Sequence, residues 1–201
     1  RSIMETLETD IMALSASQTA STANSVNGAS HRFVGTGTNE VITVADFAKA
    51  RFALKKANVP DRNLVAIVDP SVEFEMNTIT NLTNVSNNPR WEGVITSGIA
   101  SGMSFLANIY GFDVYTSNYL ADANEQIDSA GPTTGAGKAN MFFSADSSVL
   151  PFVGAWRQMP QVDSEYNKDK QREEYVTTAR YGVALYRPEN LVCVLTDTDQ
   201  V

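Results

Sequence analysis

Residues 131–140, GPTTGAGKAN, contain the Gly-Lys pair that is typical of a phosphate-binding loop. Such a loop follows the pattern G-x-x-x-x-G-K-[ST], in which backbone N–H groups and the lysine bind phosphates and the final hydroxyl binds magnesium. Here Ala139 follows Gly137 and Lys138, so the hydroxyl is missing, and Pro132 stands where the first glycine belongs. No buried apolar strand precedes the segment. We therefore interpret it as a solvent-facing loop between two strands rather than as a nucleotide site.

Nucleophilic and metal-binding side chains are scarce. The single cysteine, Cys193, lies in the apolar run LVCVL, which is typical of a buried, inert thiol. The single histidine, His31, lies in a Gly/Ser/Asn-rich stretch with no second histidine. The sequence therefore has too few of these side chains for a catalytic triad or a His/Cys metal site. We predict no catalytic residue, no cofactor and no metal.

Three scattered acids keep an enzyme open as an alternative. Asp69, Asp113 and Asp146 each follow or interrupt an apolar run. Nothing in the sequence orients these carboxylates toward one another, which general acid–base chemistry requires. Saturable binding of a divalent metal or a nucleotide would favour this alternative.

The bulk composition describes a globular, acidic chain. The 201 residues are 43% hydrophobic and 19% charged, with a formal net charge of −8. This size suits one domain or two interleaved lobes. The chain lacks the basic stripe that sequence-independent nucleic-acid binding requires, and no apolar run reaches the roughly 18 residues of a membrane span. An amphipathic segment is already under way at Arg1, so we expect further residues upstream in a longer polypeptide.

The first two thirds alternate between helical and extended patterns. Ile3, Leu7, Ile11 and Leu14 have helical spacing, and we interpret residues 15–33 as a loop or weakly extended. A capping box at Thr43 and Asp46 begins a second helix, which should end before Pro60. NLVAIVDP then predicts a buried strand, and a short helix capped by Ser71 follows. Phe112, Val114 and Thr116 alternate with polar residues as in a strand.

The last third predicts a long β-hairpin. Two extended runs flank a charged centre at residues 168–174. Strands of this length would project beyond a compact core. Arg187 and Pro188 end the second strand, and ENLVCVLTD returns to the interior.

Three segments, in order, resemble the major capsid proteins of tailed double-stranded DNA bacteriophages. The ending YGVALYRPENLVCVL is similar to that family's long strand, Arg-Pro pair and core strand. NLVAIVDPSVEFEM resembles its apolar strand, Asp-Pro and short helix, and NIYGFDVYTSNYL resembles a second strand with a small-residue turn. The opening helix is similar to the end of the family's spine helix. The resemblance covers nearly the whole chain as an order of segments.

The resemblance implies an α+β, Hong-Kong-97-like capsid fold with two domains. An axial domain, a central sheet with flanking helices, would comprise residues 43–150. A peripheral domain would comprise the spine-helix end and adjoining segment in 1–42 and the hairpin in 151–186, and 187–201 would return to the axial domain. The 131–140 loop would lie at the axial tip. The family's N-terminal arm and extended loop have no counterpart in this chain.

The implied function is a structural one. A major capsid subunit assembles with itself into hexamers and pentamers that form an icosahedral shell around double-stranded DNA, without sequence-specific contact. It would be located in the virion and assembled in the host cytoplasm, with scaffold, portal or decoration proteins as further partners and no membrane. An encapsulin-like nanocompartment shell is the alternative with the same fold. Net negative charge suits a container whose genome must not adhere to the wall.

A shell subunit uses many modest polar contacts, and the candidate residues are chosen on that basis. In the hairpin, exposed charges would either set the register between neighbours or form only a solvated tip. Each exposed pair contributes only about 0–1 kcal/mol. Arg180 and Arg187 could pair with carboxylates across strands or subunits. Trp91 and Trp156 are either interface anchors or packing residues. The charged candidates are Lys168, Lys170, Arg172, Glu173 and Glu174.

Overall fold

The computed structural model describes residues 2–17, 25–78, 104–123, 127 and 137–197. Within these residues, the chain is α+β. The helices are α1 (Ser2–Ser17), α2 (Val44–Lys56) and α3 (Pro70–Thr78). The strands are β1 (Ser25–Val26), β2 (Ala29–Ser30), β3 (Arg32–Val34), β4 (Leu64–Val68), β5 (Ser104–Ile109), β6 (Phe112–Thr116), β7 (Gly137–Ser144), β8 (Phe152–Asn167), β9 (Arg172–Leu185) and β10 (Leu191–Asp197).

A mixed six-stranded sheet forms the centre of the fold. Its order is β3-β10-β7-β4-β6-β5. The pairs β3/β10 and β4/β6 are parallel, and the other neighbours are antiparallel. All seven residues of β10 are buried, which explains the continuous apolar run of its sequence.

Helices α2 and α3 cover one face of this sheet. Phe47 of α2 meets Phe112 and Phe142 edge to face, with ring centroids 6.5 and 5.2 Å apart. Val72 and Met76 of α3 extend the same core. Each such aromatic pair adds about 0.5–1.5 kcal/mol beyond the burial of its area.

Helix α1 covers the opposite face. Met12 packs with Ile67, Met141 and Leu191, while the hydroxyl of the buried Ser15 donates to the Met12 carbonyl at 2.7 Å. The predicted stripe of Ile3, Leu7, Ile11 and Leu14 is only half-buried, so the most buried side of the helix is rotated toward Met12 and Ser15.

Several predicted elements are confirmed. Helix α2 begins after Thr43, whose backbone N–H donates to the Asp46 carboxylate at 2.8 Å, and it ends at Lys56, before Pro60. Strand β4, the alternation in β6 and the long hairpin of β8 and β9 are also present. A short 3-10 turn at Pro188–Asn190 separates the hairpin from β10.

Other predictions were wrong in detail. Residues 15–33 include the end of α1 and three short strands, of which β3 pairs with β10 in the central sheet. Strand β5, which was not predicted, forms a hairpin with β6, and the turn at Tyr110 and Gly111 has φ values of 50° and 86°. The cap of α3 is Asp69, not Ser71, because the Asp69 carboxylate accepts the Ser71 N–H at 3.0 Å.

The predicted loop at residues 131–140 is partly strand. Residues 137–140 open β7, where Gly137 is paired with Asp197 of β10. A Cβ at Gly137 would lie 2.9 Å from the Ile127 side chain, which explains the glycine. Residues 131–136, and with them the predicted axial tip, lie outside the described residues, as does the irregular segment 79–103.

Candidate assembly interface

The most exposed element of the described chain is the hairpin of β8 and β9. Its strands have 16 and 14 residues and pair with each other in a separate two-stranded sheet. At about 3.3 Å per residue, such strands extend roughly 50 Å. Most of their side chains are exposed on both faces, so the hairpin contributes little to the core of its own subunit. An element with this much unburied surface is suited to contacts with other molecules.

Local hydrogen bonds set the hairpin turn at residues 168–171. The Asn167 side-chain oxygen accepts the N–H groups of Asp169 and Lys170 at 3.1 and 3.2 Å. Gln171 has a φ of 49°, which lets the chain reverse into β9.

The base of the hairpin is fixed to the rest of the subunit. Phe152 lies edge to face on Phe143 of β7, with centroids 5.5 Å apart. The carbonyl of Pro151 accepts the N–H groups of Tyr186 and Arg187 at 2.8 and 3.1 Å. The base therefore holds the direction in which the hairpin projects.

Helix α1 supports one face of the proximal half. The Tyr181 hydroxyl donates to the Asp10 carboxylate at 2.7 Å, and this hydrogen bond raises the pKa of Tyr181. Trp156 packs edge to face on the same tyrosine, at 5.4 Å. Residues 177–181 and the start of α1 border a groove of about 490 Å³. Trp156, predicted as an anchor or a packing residue, therefore has a packing contact and is still 40% exposed.

The charged candidates cluster at the tip as predicted, and several have partners within the hairpin. Arg172 Nε lies 2.8 Å from Glu174, and the Glu173 carboxylate accepts the Tyr175 hydroxyl at 2.7 Å, which raises the pKa of Tyr175. Lys168 and Lys170 are exposed in the turn. These side chains do lie close to one another, and their role in contacts between subunits stays a prediction.

The two arginines outside the tip occupy different environments. Arg180 is exposed opposite Gln158, beside a bulge in β8. Arg187 donates to the Ser148 carbonyl and lies 5.4 Å from the ring centre of Tyr186, so it fixes the hairpin base. Trp91 lies outside the described residues. The interface roles of all three residues stay predictions.

Apolar residues on the distal hairpin were not singled out from the sequence. One face of the hairpin carries Val162, Tyr166 and Tyr175. Tyr175 is opposite Ser164, which lies midway between Val162 and Tyr166 in β8, so Tyr175 is diagonal to both. They are 65%, 56% and 66% exposed. We call these three residues the distal patch. In the sequence, the alternation in β8 indicates that Val162 and Tyr166 share a face. It does not indicate which face of the hairpin the rest of the chain leaves exposed.

The three acids of the alternative enzyme reading have separate structural roles. Asp69 caps α3 and Asp113 accepts the Asn108 amide at 2.7 Å. Asp146 accepts the Ser148 N–H and hydroxyl at 3.0 and 2.9 Å, and these bonds, more than Arg62 nearby, lower the pKa of Asp146. Asp69 follows the end of β4, whereas Asp146 lies near its start, so the arrangement offers no acid–base pair.

The remaining reactive side chains are buried. Burial raises the pKa of Cys193 to about 12, despite the opposing effect of the adjacent Arg32 guanidinium. His31 is 1% exposed, its Nδ1 lies 3.1 Å from the Ala29 carbonyl oxygen, and burial lowers its pKa. Across the described residues, the His, Cys, Asp and Glu side chains form no group of three that could hold a metal ion. None of the described helices is long and apolar enough to cross a membrane.

Comparison with known proteins gives a family and a fold. A family model described as "Phage capsid protein" matches residues 1–194. No curated protein matches the chain.

Three solved structures are similar in fold. A chain from Mycobacterium phage Che8 has a TM-score of 0.65 and 16% identity, and the match covers 96% of this chain and 59% of that one. The capsid structure of the Cyanophage P-SCSP1u has a TM-score of 0.65 and 15% identity, covering 96% and 62%. The asymmetric unit of the bacteriophage PhiM1 mature capsid has a TM-score of 0.61 and 11% identity, covering 94% and 60%. The chain thus spans about three fifths of the length of these solved chains.

Proposed function

The chain belongs to the phage capsid protein family, and we propose that it is the structural subunit of a phage head. Copies assemble into hexameric and pentameric capsomers, which form an icosahedral shell around double-stranded DNA. The observation that carries this proposal is the family match over residues 1–194 of 201. The fold, similar to that of solved phage chains over at least 94% of this chain, supports it.

The subunit is organised as a Hong-Kong-97-type fold. The six-stranded sheet with α2 and α3 forms the axial domain, and α1 with the β8–β9 hairpin forms the peripheral domain. Two observations support this division: the hairpin pairs with no strand of the central sheet, and it rests on α1. Strand β3 belongs with the axial domain, because it pairs with β10.

The hairpin provides contacts between neighbouring subunits. Its distal patch offers apolar area, and the tip offers charges of both signs, Lys168, Lys170, Arg172, Glu173 and Glu174. Apolar contact ringed by charges is the usual composition of a specific protein interface. Arg180, Trp91 and Trp156 are further candidates for such contacts.

Partners other than the chain itself follow from the role of a head subunit. The packaged DNA is enclosed without sequence-specific contact, and scaffold, portal and decoration proteins act during or after assembly. The shell is part of the virion and assembles in the host cytoplasm. Because the net charge of −8 repels DNA, the packaged DNA does not adhere to the subunits.

Sedimentation of the protein expressed from its complete reading frame, together with the neighbouring assembly genes, tests this function. We expect particles far larger than a monomer that protect double-stranded DNA from added nuclease. Particles that contain a co-purifying enzyme and no DNA would instead indicate the nanocompartment alternative. Protein that sediments only as a monomer or small oligomer would contradict a shell role.

A further inference from the structure

Two helices on the same side of the sheet each expose one phenylalanine, in opposite electrostatic surroundings. Phe52 of α2 and Phe74 of α3 are both 54% exposed. Lys49, Phe52 and Lys56 follow one another at spacings of three and four residues, so they form one stripe on α2. The charged neighbours of Phe74 on α3 are Glu73 and Glu75, with no basic residue in that helix.

The surface around Phe52 carries more basic side chains than carboxylates. The Lys56 amino group lies 5.5 Å from the Phe52 ring centre. Arg51 and Lys55 both contact Asp61, so two cations share one carboxylate, and this lowers the pKa of Asp61. Asp46, the only acid within α2, is buried at the other end of the helix. We call Phe52, Lys55 and Lys56 the basic patch.

The surface around Phe74 is acidic. Glu73 and Glu75 flank Phe74 on the helix, and both are half-buried. Glu75 lies near the buried Asp197 at the end of β10, and the buried Asp69 caps the start of the helix. We call Phe74, Glu73 and Glu75 the acidic patch.

The two patches lie at opposite ends of the sheet. The Arg51 guanidinium lies beside Gly111, which precedes β6, so the last turns of α2 lie where the parallel strands β4 and β6 begin. Helix α3 follows directly after β4 ends, and Glu75 lies near the end of β10, which runs parallel to β4. Within one copy the two patches are therefore separated by the length of the sheet, so a contact between them requires two copies.

We propose that the basic patch of one copy docks on the acidic patch of the next copy within a capsomer. Two different, complementary surfaces on every copy form a head-to-tail contact, which is the kind of contact that closes into rings. An exposed aromatic on each side supplies apolar area at the centre, and the opposite charges around it set the register. The proposal rests on the proposed function, because it concerns the contact from which the capsomers are built.

Charge reversal in the full-length protein tests this contact. The variants are Lys56→Glu, Glu73→Lys and the double variant, which restores the charge pair in reversed order and keeps the net charge of the wild type. Assembly of shells is measured by sedimentation over a range of protein concentrations, and the folding of each variant by its thermal midpoint. Each change places a charge unfavourably at a helix end, so we expect each single variant to stay folded with a thermal midpoint lowered by at most about 4 °C. Each should raise the concentration needed for assembly about tenfold or more. The double variant should regain most of the loss.

Each result is decisive. Single variants that assemble like the wild type would overturn the contact while leaving the shell function intact. If the single variants fold correctly but assemble poorly, and the double variant assembles as poorly, the patches bind other partners and not each other. Should either single variant lower the midpoint by more than that, Phe52→Ser and Phe74→Ser probe the same contact without a charge change and should each impair assembly. A wild type that forms no shells would refute the proposed function itself.

Discussion

Asn140 is the residue whose buried hydrogen bonds connect β7 with β10 and with the end of β4 in the central sheet. Its side-chain oxygen accepts the Asp69 N–H at 2.8 Å, and its amide donates to the Val194 carbonyl at 3.0 Å and to the Thr196 hydroxyl at 2.8 Å. It is 0% exposed. The sequence places it in a Gly-rich stretch, where nothing indicates burial.

Replacement of Asn140 by alanine should lower the free energy of unfolding by about 2–4 kcal/mol, because buried polar groups lose their partners. Urea denaturation of the two proteins measures the difference. Asn108→Ala is the matched control, since Asn108 is an exposed strand residue with one side-chain hydrogen bond, to Asp113. Equal losses in the two variants would contradict the role given to Asn140.

Cys193 was predicted from its apolar neighbours to be a buried, inert thiol, and its burial is confirmed. Because burial raises its pKa to about 12, almost none of it is thiolate at pH 8. We expect a thiol-specific reagent at pH 8 to label the folded protein far more slowly than the protein in guanidinium chloride. As the pH rises toward 12, labelling of the folded chain should accelerate. Stoichiometric labelling of the native protein at pH 8, at the rate of the denatured one, would refute this assignment.

At the scale of elements, the hairpin shows what a local pattern can and cannot predict. Its two strands and its turn were predictable, because alternation and the Arg187-Pro188 break are local in sequence. Strand β3 was not, because its three residues become a strand only by pairing with β10 from the far end of the chain. The distal patch was missed for a related reason: exposure depends on where α1 stops covering the hairpin, which is a tertiary property.

Substitution of the distal patch separates assembly from folding. We expect the Tyr166→Ser and Tyr175→Ser double variant to change the free energy of unfolding by less than about 0.5 kcal/mol, since both rings are exposed. The same variant should reduce the yield of shells, measured by sedimentation of the full-length protein. Reversal of Lys168, Lys170 and Arg172 to Glu should reduce it as well.

Met4→Gln is the control for the distal patch. Met4 is 58% exposed and lies on α1, outside the hairpin. Its substitution should leave the shell yield unchanged. Unchanged yields for the distal and charged variants alike would remove the hairpin from the account of assembly.

At the scale of the whole molecule, the described fold leaves several apolar and charged surfaces uncovered. The core is built from one mixed sheet with helices on both faces, while the hairpin, the basic patch and the acidic patch contribute little to it. The order of segments in the sequence was enough to predict the family, because each segment is a strand or helix with local signals. The surfaces proposed to join copies were not predictable in the same way, because only the folded chain brings their residues together.

Electron cryomicroscopy of particles from the complete reading frame tests the central claim most directly. The account predicts closed icosahedral shells of hexameric and pentameric rings, with the six-stranded sheets around the ring axes and the β8–β9 hairpins between neighbouring subunits. A uniform population of monomers or small oligomers, even with the neighbouring assembly genes expressed, would contradict it.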